Sequence, residues 1–356
     1  MSIYSVITGT GSCVPKHVKK NSDFSKNTFL KADGTILGQP IEMILSKFKE
    51  ITGIEERRYA DSSQNASDLG AISAKLAIKN AGIDKNTIDQ IIVAHNFGDV
   101  NYGSVQSDAL PSLASRIKNK LNILNPSCVA YDILFGCPGW IQGVIHAEAF
   151  IKSGIAKKIL VIGTETLSRV VDDFDRDAMI YADGAGAVVI ESIESSEKIG
   201  ILSYGSQTYS DNEVNFLFFG KSYKQEMEEN TCYIKMYGSK IYEFALNNVP
   251  GAMKTVLDNS GYKIEDVTKI CIHQANEKMD EAILKRFYKL YGATVPNDVM
   301  PMSIRKLGNS SVATVPTLLD LILNNKMEGQ SIAKGDLIIL ASVGAGMNIN
   351  AVVYKF

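Results

Sequence analysis

The sequence contains one segment twice. Residues Ile72–Gln90 read ISAKLAIKNAGIDKNTIDQ, and residues Gly251–Lys269 read GAMKTVLDNSGYKIEDVTK. The two segments align without a gap, and each runs on into a short apolar stretch, IIVA after the first and ICIH after the second. Similarity at a spacing of about half the chain is typical of two related modules in tandem. The sequence therefore predicts a duplicated fold.

Apolar runs and helical patterns alternate along both halves. Runs such as Ile91–Ala94 and Lys158–Ile162 have no polar face, so they predict strands in sheets that are covered on both sides. Ile141–Ile151 is apolar almost all round, which predicts a helix buried between two sheets. We therefore predict an α/β fold of five layers, α-β-α-β-α, with one half over residues 1–195 and the other over residues 196–356.

The composition excludes several classes of protein. Of the 356 residues, 45% are hydrophobic and 21% are charged, and the net charge is −2, so nucleic acid is not an expected partner. The five cysteines are odd in number and dispersed, which favours a reducing cytoplasm over disulfides or a structural zinc site. No apolar run reaches the roughly 18 residues that a membrane span needs. We expect a cytoplasmic protein without a bound metal.

One cysteine stands in a setting that favours reactivity. Cys137 lies in FGCPG, where Gly136 allows a tight turn and Pro138 suits the first turn of a helix. A thiol at a helix N-terminus has a lowered pKa and forms a nucleophilic thiolate. We interpret the remaining cysteines as structural; they are Cys13, Cys128, Cys232 and Cys271.

Two neutral polar residues in the second half complete a candidate site. His273 follows the apolar ICI run, and functional groups collect at the carboxyl ends of strands in α/β folds. Asn309 lies in the turn LGNSS and offers an amide N–H without adding charge. Neutral donors of this kind suit a reaction that passes through an enolate. His95, near the corresponding place in the first half, is predicted to be structural.

Three Gly-rich or aromatic segments complete the motif survey. Ser342–Asn348 reads SVGAGMN, and its small residues let a backbone N–H approach a ligand and share an oxyanion hole with the N–H of Cys137. Asp183–Ala187 reads DGAGA and predicts a packing turn. Residues 206–235 predict a loop or a hairpin over the cleft. Phosphate-loop, dinucleotide-binding and zinc-protease motifs do not occur.

Together these residues resemble the condensing enzymes of the thiolase fold, and most closely β-ketoacyl-acyl-carrier-protein synthase III. The resemblance covers nearly the whole chain. It is carried by TGI-x-x-R at Thr52–Arg57, the Cys137 turn, DR and DGAGA within Asp175–Ala187, HQAN at His273–Asn276, GNSS at Gly308–Ser311 and the final G-x-G loop.

The resemblance implies a catalytic triad of Cys137, His273 and Asn309. It implies an oxyanion hole formed by the backbone N–H groups of Cys137 and Ala345, where the family usually has glycine at the second position. Arg169 matches an arginine that stacks on the adenine of coenzyme A. Lys278 matches a basic residue at which acyl carrier protein docks.

The family also implies substrates and partners. These are acyl-coenzyme A or acyl-carrier-protein donors, a malonyl-carrier-protein acceptor, no metal or redox cofactor, and a homodimer. For the dimer, the predicted edge strand Lys158–Ile162 is a candidate seam. The expected reaction is ping-pong acyl transfer to Cys137 followed by decarboxylative Claisen condensation.

Some residues depart from the family pattern. Lys47 and Ile51 stand where the family offers a tryptophan and an arginine that grip coenzyme A, and the loops at 22–46 and 96–112 look longer than usual. These changes keep open a specialised ketosynthase or acyltransferase of a pigment, alkylresorcinol or quinolone pathway. A catalytically silent partner subunit is a further alternative. HQAN and GNSS favour synthase III over hydroxymethylglutaryl-coenzyme A synthase and plant-type polyketide synthases.

Overall fold

The computed structural model of the chain describes residues 1–225 and 231–356. The first half contains β1 (Ser2–Cys13), β2 (His17–Lys20), α1 (Ile41–Thr52), β3 (Glu56–Tyr59), α2 (Ala66–Ala81), β4 (Gln90–Ala94), β5 (Asp99–Val100), β6 (Ser107–Asp108), α3 (Leu113–Lys120), β7 (Val129–Ile133), α4 (Gly139–Lys152), β8 (Lys158–Thr166) and β9 (Asp183–Ser195). The second half contains β10 (Gly200–Thr208), β11 (Leu217–Lys221), β12 (Cys232–Met236), α5 (Gly238–Ser260), β13 (Val267–Ile272), α6 (Glu277–Lys289), α7 (Ile304–Leu307), α8 (Thr314–Leu323), β14 (Leu337–Gly344) and β15 (Asn348–Lys355).

Each half builds one main sheet. The first has the strand order β1-β9-β8-β4-β7, with β4 parallel to both β7 and β8. The second has the order β10-β15-β14-β13, with β13 parallel to β14. Strand β8 lies inside the first sheet, between β9 and β4, so the prediction that Lys158–Ile162 is an edge strand is wrong. The sequence pattern of an apolar strand does not distinguish an edge strand from an interior strand, because pairing with distant segments decides its position in the sheet.

The two sheets enclose a shared layer of helices. Helix α4 contacts strands of both sheets, and so does α8, while α2 and α3 cover the outer face of the first sheet. Helix α5 covers the second sheet, and α6 packs against α5. The predicted five-layered α/β architecture is confirmed. The predicted boundary at residue 195 falls in the connection between β9 and β10. Among the described residues, no helix is both long and apolar enough to cross a bilayer.

The sequence repeat corresponds to a structural repeat. Helix α2 ends at Gly82, with φ of 67°, and α5 ends at Gly261, with φ of 78°. Glycine is favoured at this left-handed position after a helix because it has no Cβ. After each glycine the chain makes a short 3₁₀ turn and enters a strand, β4 in the first half and β13 in the second.

The DGAGA segment packs as predicted but is not a turn. Asp183–Ala187 forms the start of β9, in the middle of the first sheet. A Cβ added to Gly186 would lie 2.6 Å from the backbone nitrogen of Thr317. The absence of a side chain therefore lets α8 pack directly against the strand.

We expect Gly186→Ala to lower the free energy of unfolding by about 1–3 kcal/mol, because the methyl group would overpack the contact between β9 and α8. Gly251→Ala is the matched control. Gly251 lies within α5, where an added Cβ meets nothing within 4 Å, so alanine should stabilise the helix by roughly 0.5–1 kcal/mol. Urea unfolding of the two variants measures both effects. Equal stability of Gly186→Ala and wild type would contradict the packing argument.

Candidate active site

One cavity of about 950 Å³ opens between the two halves. The first half contributes Gly136 and Cys137 to its wall, and the second contributes His273, Asn309 and Ala345. The three side chains of the predicted triad therefore line a single cavity. Clefts of this size are large enough to bury a drug-sized ligand.

Cys137 stands between a strand of the first sheet and the central helix. The chain leaves β7 at Ile133, turns at Gly136 with φ of 65°, and enters α4 after Pro138. The Sγ atom of Cys137 accepts a hydrogen bond of 3.2 Å from the hydroxyl of Ser311. The predicted turn and helix start are present, and they aim the thiol into the cavity.

The prediction that the pKa of Cys137 is lowered is wrong for the resting protein. Burial raises the pKa of the thiol to about 11, and the charge of Glu165 acts in the same direction. The hydrogen bond from Ser311 and the residue's own backbone N–H both lower the pKa, but by less. Desolvation of the thiolate thus raises the thiol pKa by more than the helix N-terminus lowers it. At neutral pH the resting residue is a thiol.

His273 follows β13 directly and is 2% exposed. Its backbone N–H donates to the carbonyl of Ala341 at 2.8 Å, which fixes the residue beside β14. Burial lowers the pKa of the imidazole to about 4, although a hydrogen bond with the backbone of Ser311 opposes the shift. The Nδ1 atom has no hydrogen-bond partner among the described residues. The ring is therefore neutral at pH 7, and a neutral imidazole keeps one N–H that can donate to a carbonyl.

Asn309 is held from both sides of its backbone. Its N–H donates to the carbonyl of Ile180 at 3.0 Å, and its carbonyl accepts from the N–H of Ala182 at 2.8 Å. The side-chain Oδ1 accepts from the backbone N–H of Ser311 at 2.8 Å. With Oδ1 engaged, the NH₂ group is the donor that Asn309 can offer to a ligand.

The predicted backbone donors lie on two segments in close contact. A Cβ on Gly344 would lie 2.6 Å from the nitrogen of Cys137, and a Cβ on Gly136 would lie 2.7 Å from the nitrogen of Ala345. Residues 136–137 and 344–345 all line the cavity. Two glycines thus allow backbone from each half to meet at the thiol, and the methyl group of Ala345 is accommodated.

The sequence argument missed three polar residues next to the thiol: Ser311, Asn96 and Glu165. Ser311 was visible only as part of GNSS, and its backbone has a φ of +52°, which is uncommon for serine. Asn96 and Glu165 follow or belong to strands of the first half, and no motif marks them. A polar residue within a buried strand or two residues after it is the one available signal, and it is weak.

The structure does not bring Arg169 to the cavity. The guanidinium group of Arg169 binds Asn65 Oδ1 and the backbone carbonyls of Asp61, Gln64 and Val100. The residue is 8% exposed and is not among the described residues that line the cavity. Its donors are used to hold the loop before α2, so the predicted role of stacking on adenine does not fit this placement.

The mouth of the cavity lies near α1 and α6. Lys47 and Ile51 of α1 line it, together with Asn276 at the start of α6. Lys278 is exposed beside this mouth, and its Nζ lies 3.3 Å from Glu50 Oε1. The two residues that depart from the family pattern thus stand where a substrate would enter. A docking role for Lys278 stays a prediction.

The hairpin β11–β12 covers the cavity, as the sequence predicted for residues 206–235; its residues 226–230 lie outside the described ranges. Phe219 and Met236 line the cavity from this hairpin. Lys235, which is 2% exposed, contacts Asp172 at 2.6 Å and Asp175 at 3.0 Å. A buried double ion pair thus fastens the hairpin to the first half.

His95 is structural, as predicted. Its Nε2 lies 2.9 Å from Asp132 Oδ2, and its Nδ1 accepts from the backbone N–H of Gly98 at 2.9 Å. Both ring nitrogens are therefore occupied, and the residue is 2% exposed.

Known proteins with the same organisation identify the family. The family described as 3-oxoacyl-[acyl-carrier-protein] synthase III matches residues 131–210, and its C-terminal counterpart matches residues 257–356. The chain is 32% identical to "Beta-ketoacyl-[acyl-carrier-protein] synthase III 1" of Vibrio vulnificus, over 99% of this chain and 100% of the relative. The chain belongs to this family. It is thus an acyltransferase of the condensing-enzyme type with a thiolase-like fold.

Two further comparisons agree. The chain is 33% identical to the synthase III of Caldanaerobacter subterraneus subsp. tengcongensis, with 98% of this chain and 97% of the relative covered. The crystal structure of 3-oxoacyl-[acyl-carrier-protein] synthase III from Aquifex aeolicus superposes with a TM-score of 0.78 at 29% identity, covering 99% of this chain and 100% of that one. The likeness thus spans both halves.

We expect acid to destabilise the wild-type protein more than the His273→Asn variant. The folded protein holds the imidazole neutral to about pH 4, whereas the unfolded chain binds a proton near pH 6.5. The neutral, buried ring therefore favours folding above pH 6.5, and this contribution is lost as the pH falls through 4. The full difference is roughly 3 kcal/mol.

Urea unfolding between pH 7 and pH 4 measures this dependence. His17→Asn, at the start of β2 on the surface, is the control and should follow the wild type. Parallel pH curves for wild type and His273→Asn would show that the fold does not force the imidazole to stay neutral.

Proposed function

We propose that the chain joins an acyl group to a malonyl thioester by a ping-pong reaction on Cys137. Cys137 loses its proton, and its thiolate attacks the carbonyl carbon of the acyl thioester. The bond from that carbon to the carrier sulfur breaks, the carrier takes up one proton and leaves as a thiol, and an acyl-enzyme remains. The backbone N–H groups of Cys137 and Ala345 stabilise the oxyanion. The observation that carries the proposal is the single cavity shared by this thiol, His273 and Asn309.

In the second half-reaction a malonyl thioester replaces the departed carrier. His273 and Asn309 donate hydrogen bonds to its thioester carbonyl while the carboxylate leaves as carbon dioxide. The resulting enolate attacks the acyl group on Cys137, and the sulfur leaves as a thiolate, giving a β-ketoacyl thioester. A neutral imidazole suits this role, because it stabilises the enolate without holding an extra proton. No metal or redox cofactor takes part in these steps.

The wall of the cavity favours an acyl group larger than acetyl. Phe48, Phe97, Leu217, Phe219 and Ile234 give it a predominantly apolar surface. Burial of apolar surface stabilises a bound chain by about 0.8 kcal/mol per methylene group. A panel of acetyl, longer, branched and aromatic starters tests this point, and a preference for aromatic starters or for non-malonyl acceptors would favour the specialised ketosynthase reading.

The acyl donor is proposed to arrive on acyl carrier protein. Relatives in this family carry that partner in their names. In this chain Arg169 is buried in loop contacts, and Lys47 and Ile51 occupy the mouth, so the expected grip on coenzyme A adenine lacks its residues. Lys278, exposed beside the mouth, is the proposed docking cation. The protein is proposed to act in the cytoplasm.

We expect Cys137→Ala to abolish acylation, because Cys137 is the one cysteine among the described residues that line the cavity. Intact-protein mass spectrometry after incubation with acyl-carrier-protein or acyl-coenzyme A measures the adduct. Cys13→Ala is the control, since this cysteine lies on β1 outside the cavity, and it should acylate normally. A full adduct on Cys137→Ala would refute the assignment of the nucleophile.

A homodimer is proposed, with its seam at β7. This strand is an edge of the first sheet, and Val129 at its start and Leu134 just beyond its end are 55% and 67% exposed. An open strand edge with apolar side chains is a surface on which a second copy can pair. The strand leads directly to Cys137, so dimerisation would also brace the nucleophile.

We expect Val129→Lys to shift the protein toward monomer, because a charge on an edge strand opposes edge-to-edge pairing. Sedimentation velocity over a range of concentrations measures the effect. Leu290→Lys alters an apolar residue of similar exposure, 49%, just after α6 in the second half, and should leave the association unchanged. Equal association of Val129→Lys and wild type would place the seam elsewhere.

A further inference from the structure

A line of hydrogen-bonded side chains ends on the sulfur of Cys137. Asn96 Nδ2 donates to Glu165 Oε1 and, at 3.0 Å, to Ser311 Oγ. Ser311 Oγ in turn donates to Cys137 Sγ at 3.2 Å. Glu165 on β8 is 1% exposed and Ser311 is 3% exposed, so these bonds lie out of water.

The chemistry of the groups fixes the direction of the line. The backbone N–H of Asn96 also bonds the carboxyl of Glu165, so two donors of Asn96 face one carboxyl group. This holds the amide with its NH₂ toward Glu165 and Ser311. The serine oxygen then receives a hydrogen from Asn96, and its own single hydrogen is left for the sulfur.

Ser311 also contacts the other two members of the proposed triad. Its backbone N–H donates to Asn309 Oδ1 at 2.8 Å, and its backbone bonds the ring of His273. The residue does this from a φ of +52°, in the left-handed region that serine seldom adopts. A strained backbone at a point that touches three reacting groups indicates a function.

We propose that Ser311 is a further catalytic residue, whose hydroxyl donates a hydrogen bond to the thiolate of Cys137, and that Asn96 and Glu165 are positioning residues that aim this hydroxyl. The bond stabilises the sulfur anion when it attacks and again when it leaves. It takes effect where burial opposes ionisation, and hydrogen bonds to charged groups are the strong ones. The proposal rests on the proposed function only for the role of Cys137 as nucleophile.

The electrostatic setting supports this assignment. Glu165 and Tyr181 interact electrostatically with the thiol, and His273 lines the same cavity. Other titratable residues also line this cavity: Lys47, Arg176, Asp177 and Tyr242. Burial raises the pKa of Glu165 and of Tyr181 well above their ordinary values and lowers the pKa of His273 to about 4. Tyr181 and His273 are thus neutral at pH 7 and supply no positive charge to the thiolate, whereas the hydroxyl of Ser311 already donates to the sulfur. A charged Glu165 would instead oppose it.

The test is the rate at which iodoacetamide alkylates Cys137 in the full-length protein between pH 8 and pH 10, followed by peptide mass spectrometry. Ser311→Ala should slow alkylation about tenfold at each pH, equivalent to raising the thiol pKa by about one unit. Thr314→Val is the control. It removes a buried hydroxyl, only three residues away, that has no partner among the described residues, and it should alkylate at the wild-type rate.

A double-variant cycle tests the positioning role. Glu165→Gln places an amide NH₂ group against one of the two N–H groups of Asn96, which disturbs the residue that aims the hydroxyl of Ser311. We therefore expect slower alkylation of Cys137, as in Ser311→Ala. In the Ser311→Ala background, Glu165→Gln should have no further effect, because its influence passes through the hydroxyl. Thermal unfolding of each variant shows whether it is folded.

The results separate the possibilities. A wild-type alkylation profile for folded Ser311→Ala would overturn the catalytic role, and additive effects in the double variant would overturn the positioning role of Glu165. If Ser311→Ala is slowed as expected but no thioester acylates the wild type, the proposed function fails while the assignment of Ser311 stands.

Discussion

The active site depends on one close contact between the backbones of the two halves. Gly136 lies against Ala345, and Gly344 lies against Cys137, at distances that leave no room for a Cβ on either glycine. This contact brings the backbone of residues 344–345 against the residue that carries the sulfur. The duplicated sheets supply the rigidity: β7 leads into Cys137, and β14 ends at Gly344. The proposed oxyanion hole therefore needs both halves.

Desolvation by the surrounding protein determines the resting charge of the site. It keeps the thiol of Cys137 protonated and the imidazole of His273 neutral. Charge therefore develops only during reaction, when fixed donors already face it. Donors of this kind stabilise a transition state more strongly in a low dielectric than in water. The high thiol pKa at rest and the proposed stabilisation of an oxyanion would thus be two consequences of one environment.

The sequence predicted what is encoded locally or repeated. Gly82 and Gly261 mark equivalent helix ends, and the strands after them lead toward the site, so the duplication and the places of Cys137, His273 and Asn309 could be inferred. Quantities set by distant neighbours were not predictable. The pKa of the Cys137 thiol depends on how completely the second half covers the first. An argument from the helix N-terminus alone does not include this effect of desolvation on the pKa.

Two errors have the same origin. Lys158–Ile162 is apolar on both faces, and that pattern does not tell whether a strand has one neighbour or two; the partners of β8 come from elsewhere in the chain. Arg169 stands in a family motif, but its guanidinium is satisfied by a loop some 100 residues earlier in the sequence. The role of Ser311 was not predicted, because it requires a left-handed backbone and a contact with Cys137 in the other half of the chain.

The buried ion pairs of the hairpin determine how a substrate reaches this site. The Nζ atom of Lys235 lies 2.6 Å from Asp172 and 3.0 Å from Asp175, and Tyr223 covers the ammonium group with its ring at 3.4 Å from the centroid. Opening the hairpin would separate these charges, and breaking such a buried pair costs about 3–5 kcal/mol. The ion pairs therefore favour the closed position of the hairpin over the cavity. In the proposed reaction, an entrance beside Lys47 and Asn276 that both carriers share would require the first carrier to leave before the second binds, which would be a physical basis for a ping-pong order.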